Sequence, residues 1–189
     1  DAAQGPIEVQ RILLQGGLHP HLPLEYYEEL LSFMKDLDIH VHGFSPPEVC
    51  HFADLSGLPV QEVLRRLIEA GLDSIPGGGA EILNDRVRSR LAPRKCSADR
   101  WIEVMEQAHR LGLRTTATMM FGHIETMAER LEHLQRIRDL QDRTSGFTAF
   151  IPWPFQPDNT VLAREEDCAK ETAFGYLKML SLSRIFLDN

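Results

Sequence analysis

The chain has 189 residues, 43% of them hydrophobic, enough to bury the core of one domain. Its 28 acidic and 20 basic side chains leave a formal net charge of -8 with no basic cluster, which argues against a nucleic-acid surface. No apolar run reaches the roughly 18 residues of a membrane span, and the three widely spaced cysteines, Cys50, Cys96 and Cys168, point to a reducing cytoplasm.

Residues 11–14 form a short apolar run before Gly16-Gly17 and predict a buried strand. Residues 24–37 carry Leu24, Tyr27, Leu30, Leu31 and Met34 at helical spacing. Residues 39–44 alternate Ile39 and Val41 with His40 and His42, which is strand period. The apolar pair suits a helix layer, which leaves the histidines facing the interior. A helix is predicted over 59–70, stopped by Gly71, and a strand over 72–75. Residues 80–90 read as a short helix or turn. Residues 97–111 read as a helix capped by Ser97 and stopped by Gly112. A strand over 113–121, a charged helix over 128–141, a strand over 147–151 and a long helix over 164–187 complete the pattern. The charges on Glu103, Glu106, Arg110, Glu129, Glu132, Arg136 and Arg138 read as a solvated helix face.

Strand then helix, five times, predicts an α/β fold built from parallel βα units. Five units do not close an eightfold barrel of about 250 residues. The expectation is one domain over 1–189, a partial (β/α) TIM-type barrel and an internal piece of a longer one. A doubly wound open sheet fits the same pattern. It is disfavoured because glycines and polar groups follow all five strands instead of gathering at one switch point.

Those strand ends carry the candidate chemistry. His40-x-His42 places two imidazoles on one strand face, as a metal-dependent hydrolase would need, although no lysine lies in any strand-end segment to complete such a site. Gly77-Gly78-Gly79 is either a tight turn or a cradle for an anion. Glu81 after it is either an acceptor for ribose hydroxyls or a helix N-terminal acid. His123 and Glu125 offer a base or donor and an acid. Met119 and Met120 read as core filler, Trp153 and Phe155 as packing or stacking surface, and Gln156 as an amide donor and acceptor.

The stretches 13–20, 39–48, 71–83, 108–126 and 146–160 together resemble the radical S-adenosylmethionine enzymes of the futalosine route to menaquinone and their deazaflavin-forming cousins. Ser45-Pro46-Pro47-Glu48, Pro76 to Glu81 and Phe147 to Trp153 most resemble the cyclising branch. Gly122-His123-x-Glu125-Thr126 is shared with the sister aminofutalosine-forming branch. The resemblance implies S-adenosylmethionine, a [4Fe-4S] cluster and a 5′-deoxyadenosyl radical that takes a ribose hydrogen from dehypoxanthine futalosine. The sugar radical then closes onto the ring, and loss of an electron and a proton completes the cyclisation. It implies a nucleoside substrate and a flavodoxin- or ferredoxin-like reductant, with neither nucleic acid nor membrane as partner.

By the same resemblance, Gln15, Gly16 and Gly17 stand where the superfamily holds the methionine amino group. No acid directly follows these glycines, so backbone carbonyls are expected there. Glu81 implies a nucleoside contact, while Thr118, Met120, Gly122 and Glu125 imply the adenine pocket. His42, Ser45, His123 and Gln156 are expected on the substrate side, with His42 and His123 as the catalytic candidates. His21 stands where relatives commonly have an acid. The cluster-binding CxxxCxxC motif is absent, so its cysteines are expected upstream of Asp1 and the isolated chain is expected to be inactive. A non-catalytic barrel remnant is the remaining alternative.

Overall fold

A computed structural model describes residues 9–166, 168 and 170–188. Five strands form one sheet: β1 (Arg11–Leu14), β2 (His40–Gly43), β3 (Ser74–Ile75), β4 (Arg114–Phe121) and β5 (Phe147–Pro154). Their order is β1-β2-β3-β4-β5 and every pairing is parallel. A doubly wound sheet reverses its order at a switch point. Sequential order without reversal is that of a barrel wall, so the partial TIM-type barrel is the fold.

Eight helices accompany the strands among the described residues: α1 (Leu24–Lys35), α2 (Pro46–Ser56), α3 (Val60–Ala70), α4 (Asp85–Leu91), α5 (Ala98–Arg110), α6 (Met127–Thr144), α7 (Leu162–Glu165) and α8 (Ala173–Phe186). They pack on the sheet through the apolar stripes seen in sequence. Val63, Leu64 and Leu67 of α3 are fully buried, as are Trp101, Val104, Met105 and Ala108 of α5. Burying each large side chain of this kind contributes about 1.5–3 kcal/mol. Strand alternation sets what they meet. Val41, Ile75, Ala117, Met119 and Phe121 are fully buried under the helices. On the opposite face His40 and His42 are half-buried, while Leu13, Ile151 and Trp153 are exposed.

Three elements and one residue depart from the sequence reading. Residues 46–56 form a complete helix, α2, with Pro46 and Pro47 in its first turn, where a missing N–H costs nothing. The long helix expected over 164–187 is two, α7 and α8, and the second is capped by Thr172, whose side chain accepts from Gly175 N. Strand β5 runs on through Pro154, because the Pro152 and Pro154 nitrogens face away from β4 and the β4–β5 ladder loses no donor. Glu129 is a correction to the solvated face: it is buried, and its Oε2 accepts from Thr126 N at 2.7 Å and Oγ1 at 3.0 Å. The Arg86 guanidinium grips the same carboxylate, Nε to Oε1 at 2.7 Å, and holds its pKa at about 2.

Two histidines are built into the packing as neutral groups. His109 joins Thr144 Oγ1 and Thr115 Oγ1, each at 2.7 Å, so it ties α5 to α6 and β4. His133 is fully buried, with Nδ1 accepting from Leu83 N at 3.0 Å and Nε2 directed toward the Thr118 carbonyl without reaching good hydrogen-bond geometry. Burial pushes the first down to about 4 and the second to about 3. The unfolded chain therefore binds protons near pH 6.5 that the folded chain refuses. Stability is full above about pH 6.5 and falls as the pH drops toward about 4. Thermal melts should show a midpoint several degrees lower at pH 4.5 than at pH 7, with a shallower slope for His109→Gln; a midpoint flat across that range would refute the assignment.

Candidate functional site

The ends of β1, β2, β3 and β5 converge on a pocket of about 600 Å³, whose wall includes Gln15, Gly16, Gly17, Ser45, Glu48, Glu81 and Trp153. Its floor is set by one carboxylate. Glu48, in the first turn of α2, is buried. Its Oε1 accepts from Gly16 N at 2.9 Å, and its Oε2 accepts from Ser45 N at 2.7 Å and Ser45 Oγ at 2.6 Å. The sequence reading quoted Ser45-Pro46-Pro47-Glu48 but gave Glu48 no role. Serine followed three residues later by glutamate is the capping-box signal that would have found it. No acid directly follows Gly16-Gly17 along the chain, but Glu48 brings a carboxylate to Gly16 N from 32 residues away.

Gly77-Gly78-Gly79 is the tight turn of the two readings. A Cβ on Gly77 would lie 2.6 Å from the Ala117 Cα and the Thr116 carbonyl. One on Gly78 would lie 2.6 Å from Gln15 Nε2 and 3.3 Å from Ser45 Cβ. Gly79 has φ +70° and would meet Pro47 Cγ at 2.5 Å. Thr116 Oγ1 accepts from Gly77 N at 2.9 Å, Thr118 Oγ1 donates to the Gly77 carbonyl, and Trp101 Nε1 donates to the Gly78 carbonyl at 3.2 Å. Thr118 therefore lies under the turn. Arg88, buried and unanticipated from sequence, donates to the carbonyls of Gly79 at 3.0 Å, Ala80, and Cys96 at 3.0 Å. It fastens the turn to the loop before α5.

Glu81 leaves that turn at φ +48°, with its carbonyl accepting from Met120 N at 2.9 Å. Its carboxylate lines the pocket and pairs with the Lys95 ammonium. Phe44, at the end of β2, also holds a left-handed φ of +56°, with its ring against Tyr27 and Phe52 at centroid distances of 5.6 and 5.2 Å. Both are non-glycine residues in a strained backbone region, as is common where a site must be shaped.

The other candidates lie outside this pocket's wall. His40 Nε2 and His42 Nδ1 both meet Ser74 Oγ, at 2.9 and 2.7 Å, and burial lowers the His42 pKa. Each imidazole spends a nitrogen there, and among the described residues no group of three or more His, Cys, Asp or Glu side chains could hold a metal ion. Gly122, His123 and Glu125 form a closed turn of their own. Gly122 N and His123 N donate to the Glu125 carboxylate at 2.6 and 2.9 Å, and Arg130 Nε donates to it at 2.7 Å. His123 Nδ1 lies 2.8 Å from Glu125 Oε2, and both side chains are buried. Burial works against ionisation of Glu125, but the His123 ring and the N–H donors prevail and hold its pKa at about 2. Met120 is half-buried at the end of β4, and Gln156 is exposed with its amide donating to the Pro154 carbonyl at 3.3 Å.

Cys50 and Cys96, far apart in sequence, are neighbours in space, and the adjacent thiol together with burial pushes the Cys50 thiol up. Cys50, Cys96 and Cys168 do not form the ligand set of an iron–sulfur cluster.

A parallel barrel wall with a glycine-lined, carboxylate-bearing pocket at its strand ends is the frame of a particular superfamily. The radical SAM superfamily pattern matches residues 4–137, and the CofH/MqnC C-terminal region matches residues 144–189. The chain belongs to the radical SAM superfamily. It is 48% identical, over 95% of its length, to the cyclic dehypoxanthine futalosine synthase of Streptomyces coelicolor. It is 47% identical over 94% to the aminodeoxyfutalosine synthase of Thermus thermophilus. It is 44% identical over 93% to the 5-amino-6-(D-ribitylamino)uracil--L-tyrosine 4-hydroxyphenyl transferase 1 of Methanosarcina barkeri. The chain covers 45%, 49% and 48% of those three proteins, about half of each.

The close packing of the glycine turn makes a direct prediction. Gly77→Ala should destabilise the fold by about 1–3 kcal/mol, because backbone on β4 cannot yield to the added methyl. Gly17→Ala, whose Cβ meets nothing within 4 Å, should cost under about 1 kcal/mol. Equal denaturant midpoints for the two variants would contradict the packing account.

Proposed function

We propose that this chain forms the cofactor-binding and substrate-binding walls of a cyclic dehypoxanthine futalosine synthase, within one incomplete barrel unit. The observation that carries the reading is the meeting of Gly16-Gly17, Glu48 and Glu81 in a single pocket. The donor set suits S-adenosylmethionine: a carboxylate beside glycine backbone for an ammonium, and a second carboxylate for ribose hydroxyls. Gln15, Gly16 and Gly17 with Glu48 would hold the methionyl end, and Glu81 the sugar. Trp153 offers an aromatic face on the same wall.

When bound, S-adenosylmethionine supplies the 5′-deoxyadenosyl radical that abstracts a ribose hydrogen. The chain's own residues orient and shield the reactants. Thr118 acts through the glycine turn, while Met120, Gly122 and Glu125 shape the end of β4. His42, Ser45, His123 and Gln156 are the residues proposed for the substrate side, with His42 and His123 as candidate proton acceptors. The [4Fe-4S] cluster does not fit the described residues, so the whole protein would bring its ligands from outside these 189 residues, with a flavodoxin- or ferredoxin-like reductant in the cytoplasm. Identity to the cyclic dehypoxanthine futalosine synthase and the aminodeoxyfutalosine synthase differs little, at 48% and 47%. The preference for the cyclising reaction rests on the Ser45 to Glu48, Pro76 to Glu81 and Phe147 to Trp153 stretches.

The test is an anaerobic turnover of the whole protein, reconstituted and reduced, with dehypoxanthine futalosine. The expected outcome is 5′-deoxyadenosine together with a product two hydrogens lighter than the substrate, and at least about a tenfold loss of rate in Glu48→Gln. Turnover of an aminodeoxyfutalosine synthase substrate instead would reassign the chain to that sister reaction.

A further inference from the structure

We propose that Lys95 is a built-in competitor for the pocket's ligand: in the free protein it occupies the carboxylate of Glu81, and it must leave before a ribose diol can be held there. The inference rests on reading the pocket as a nucleoside site. Glu81 is the fixed partner of the pair. Its backbone is locked at φ +48° with its carbonyl tied to Met120 N at 2.9 Å, and only 11% of its side chain is exposed. Among the described residues, the Lys95 ammonium is the hydrogen-bond partner of that carboxylate. Lys95 is the mobile partner. Its side chain is 38% exposed and reaches the pocket from the loop between α4 and α5 on a flexible four-carbon stem.

The surroundings concentrate the motion in that stem. The buried Arg88 guanidinium pins the Gly79 and Ala80 carbonyls just before Glu81 and the Cys96 carbonyl just after Lys95. Lys95 N itself donates to the Ala92 carbonyl at 2.9 Å. Breaking the pair thus needs a side-chain swing and no rearrangement of either backbone. A diol offers two O–H donors to one carboxylate, and an ammonium seated on Oε1 obstructs the two-pronged contact. With its lysine partly open to solvent, the pair is weak enough to break on binding, so the lysine is a part-time plug that weakens apparent affinity about two- to sixfold.

Calorimetric titration of the full chain with 5′-deoxy-5′-methylthioadenosine, an uncharged nucleoside with a free diol, tests this. Lys95→Met should bind about two- to sixfold more tightly than the wild type. Wild-type affinity should rise between about 50 and about 300 mM salt, as the internal pair is screened, while Lys95→Met stays flat. Glu81→Gln should lose about tenfold or more in affinity at either salt concentration. Unchanged or weaker binding by a folded Lys95→Met would overturn the plug and make the lysine an orienting or ligand-contacting group. Absence of binding by every form would overturn the nucleoside reading itself, and the inference with it. Circular dichroism melts of each variant separate these outcomes from loss of fold.

Discussion

The carboxylate of Glu48 is the interaction on which the strand ends depend. One side chain takes a proton donor from the chain leaving β1 and two from the chain leaving β2. It sits at the positive end of α2, where the unpaired N–H groups of the first turn favour negative charge. Without it, Gly16 N and Ser45 N would face the pocket unpaired, and the two loops would have no common anchor. A buried carboxylate is costly unless it is well hydrogen-bonded. Three donors reach this one, and the same contacts hold the two loops at the floor of the pocket.

The helix that carries Glu48 links the whole site. Pro47 packs against Gly79 of the glycine turn, Cys50 lies beside Cys96 in the loop before α5, and Asp54 forms a paired contact with Arg100 on α5 at 2.8 and 2.9 Å. Arg88 closes the circuit from the other side by holding the turn and the Cys96 loop together. The left-handed backbones at Phe44 and Glu81 lie at the two places where the chain must bend sharply into the site. Aromatic packing around Phe44 and the tie from Glu81 to β4 hold those bends in place.

The fold was legible where hydrophobic period and glycine stops agreed. The stripes of α3 and α5, the alternation in β2 and the glycine stop after α3 carry enough local information to place five strands in order. Helix α2 was not read because Pro46-Pro47 looks like a break unless the flanking Ser45 and Glu48 are recognised as a cap. Strand β5 was cut short for a related reason: Pro152 and Pro154 read as loop, and they are compatible with a strand because their nitrogens face away from β4. The site was legible as a set of loops but not as a wiring diagram. Which acid would serve Gly16 depends on contacts between residues 32 positions apart. The buried state of Glu125 and Glu129 depends on Arg130 and Arg86, whose reach sequence spacing alone does not show.

The two prolines of β5 also determine how that border of the sheet can be used. Phe155 N donates inward to the Phe121 carbonyl at 2.7 Å, so strand alternation turns Pro152 and Pro154 outward. Two of the outward positions therefore have no hydrogen to give. A strand laid along that side of β5 would find acceptors but a broken row of donors, so its ladder must skip two rungs. The same residues that obscured β5 in the sequence thus limit how any neighbour on its far side can pair with it.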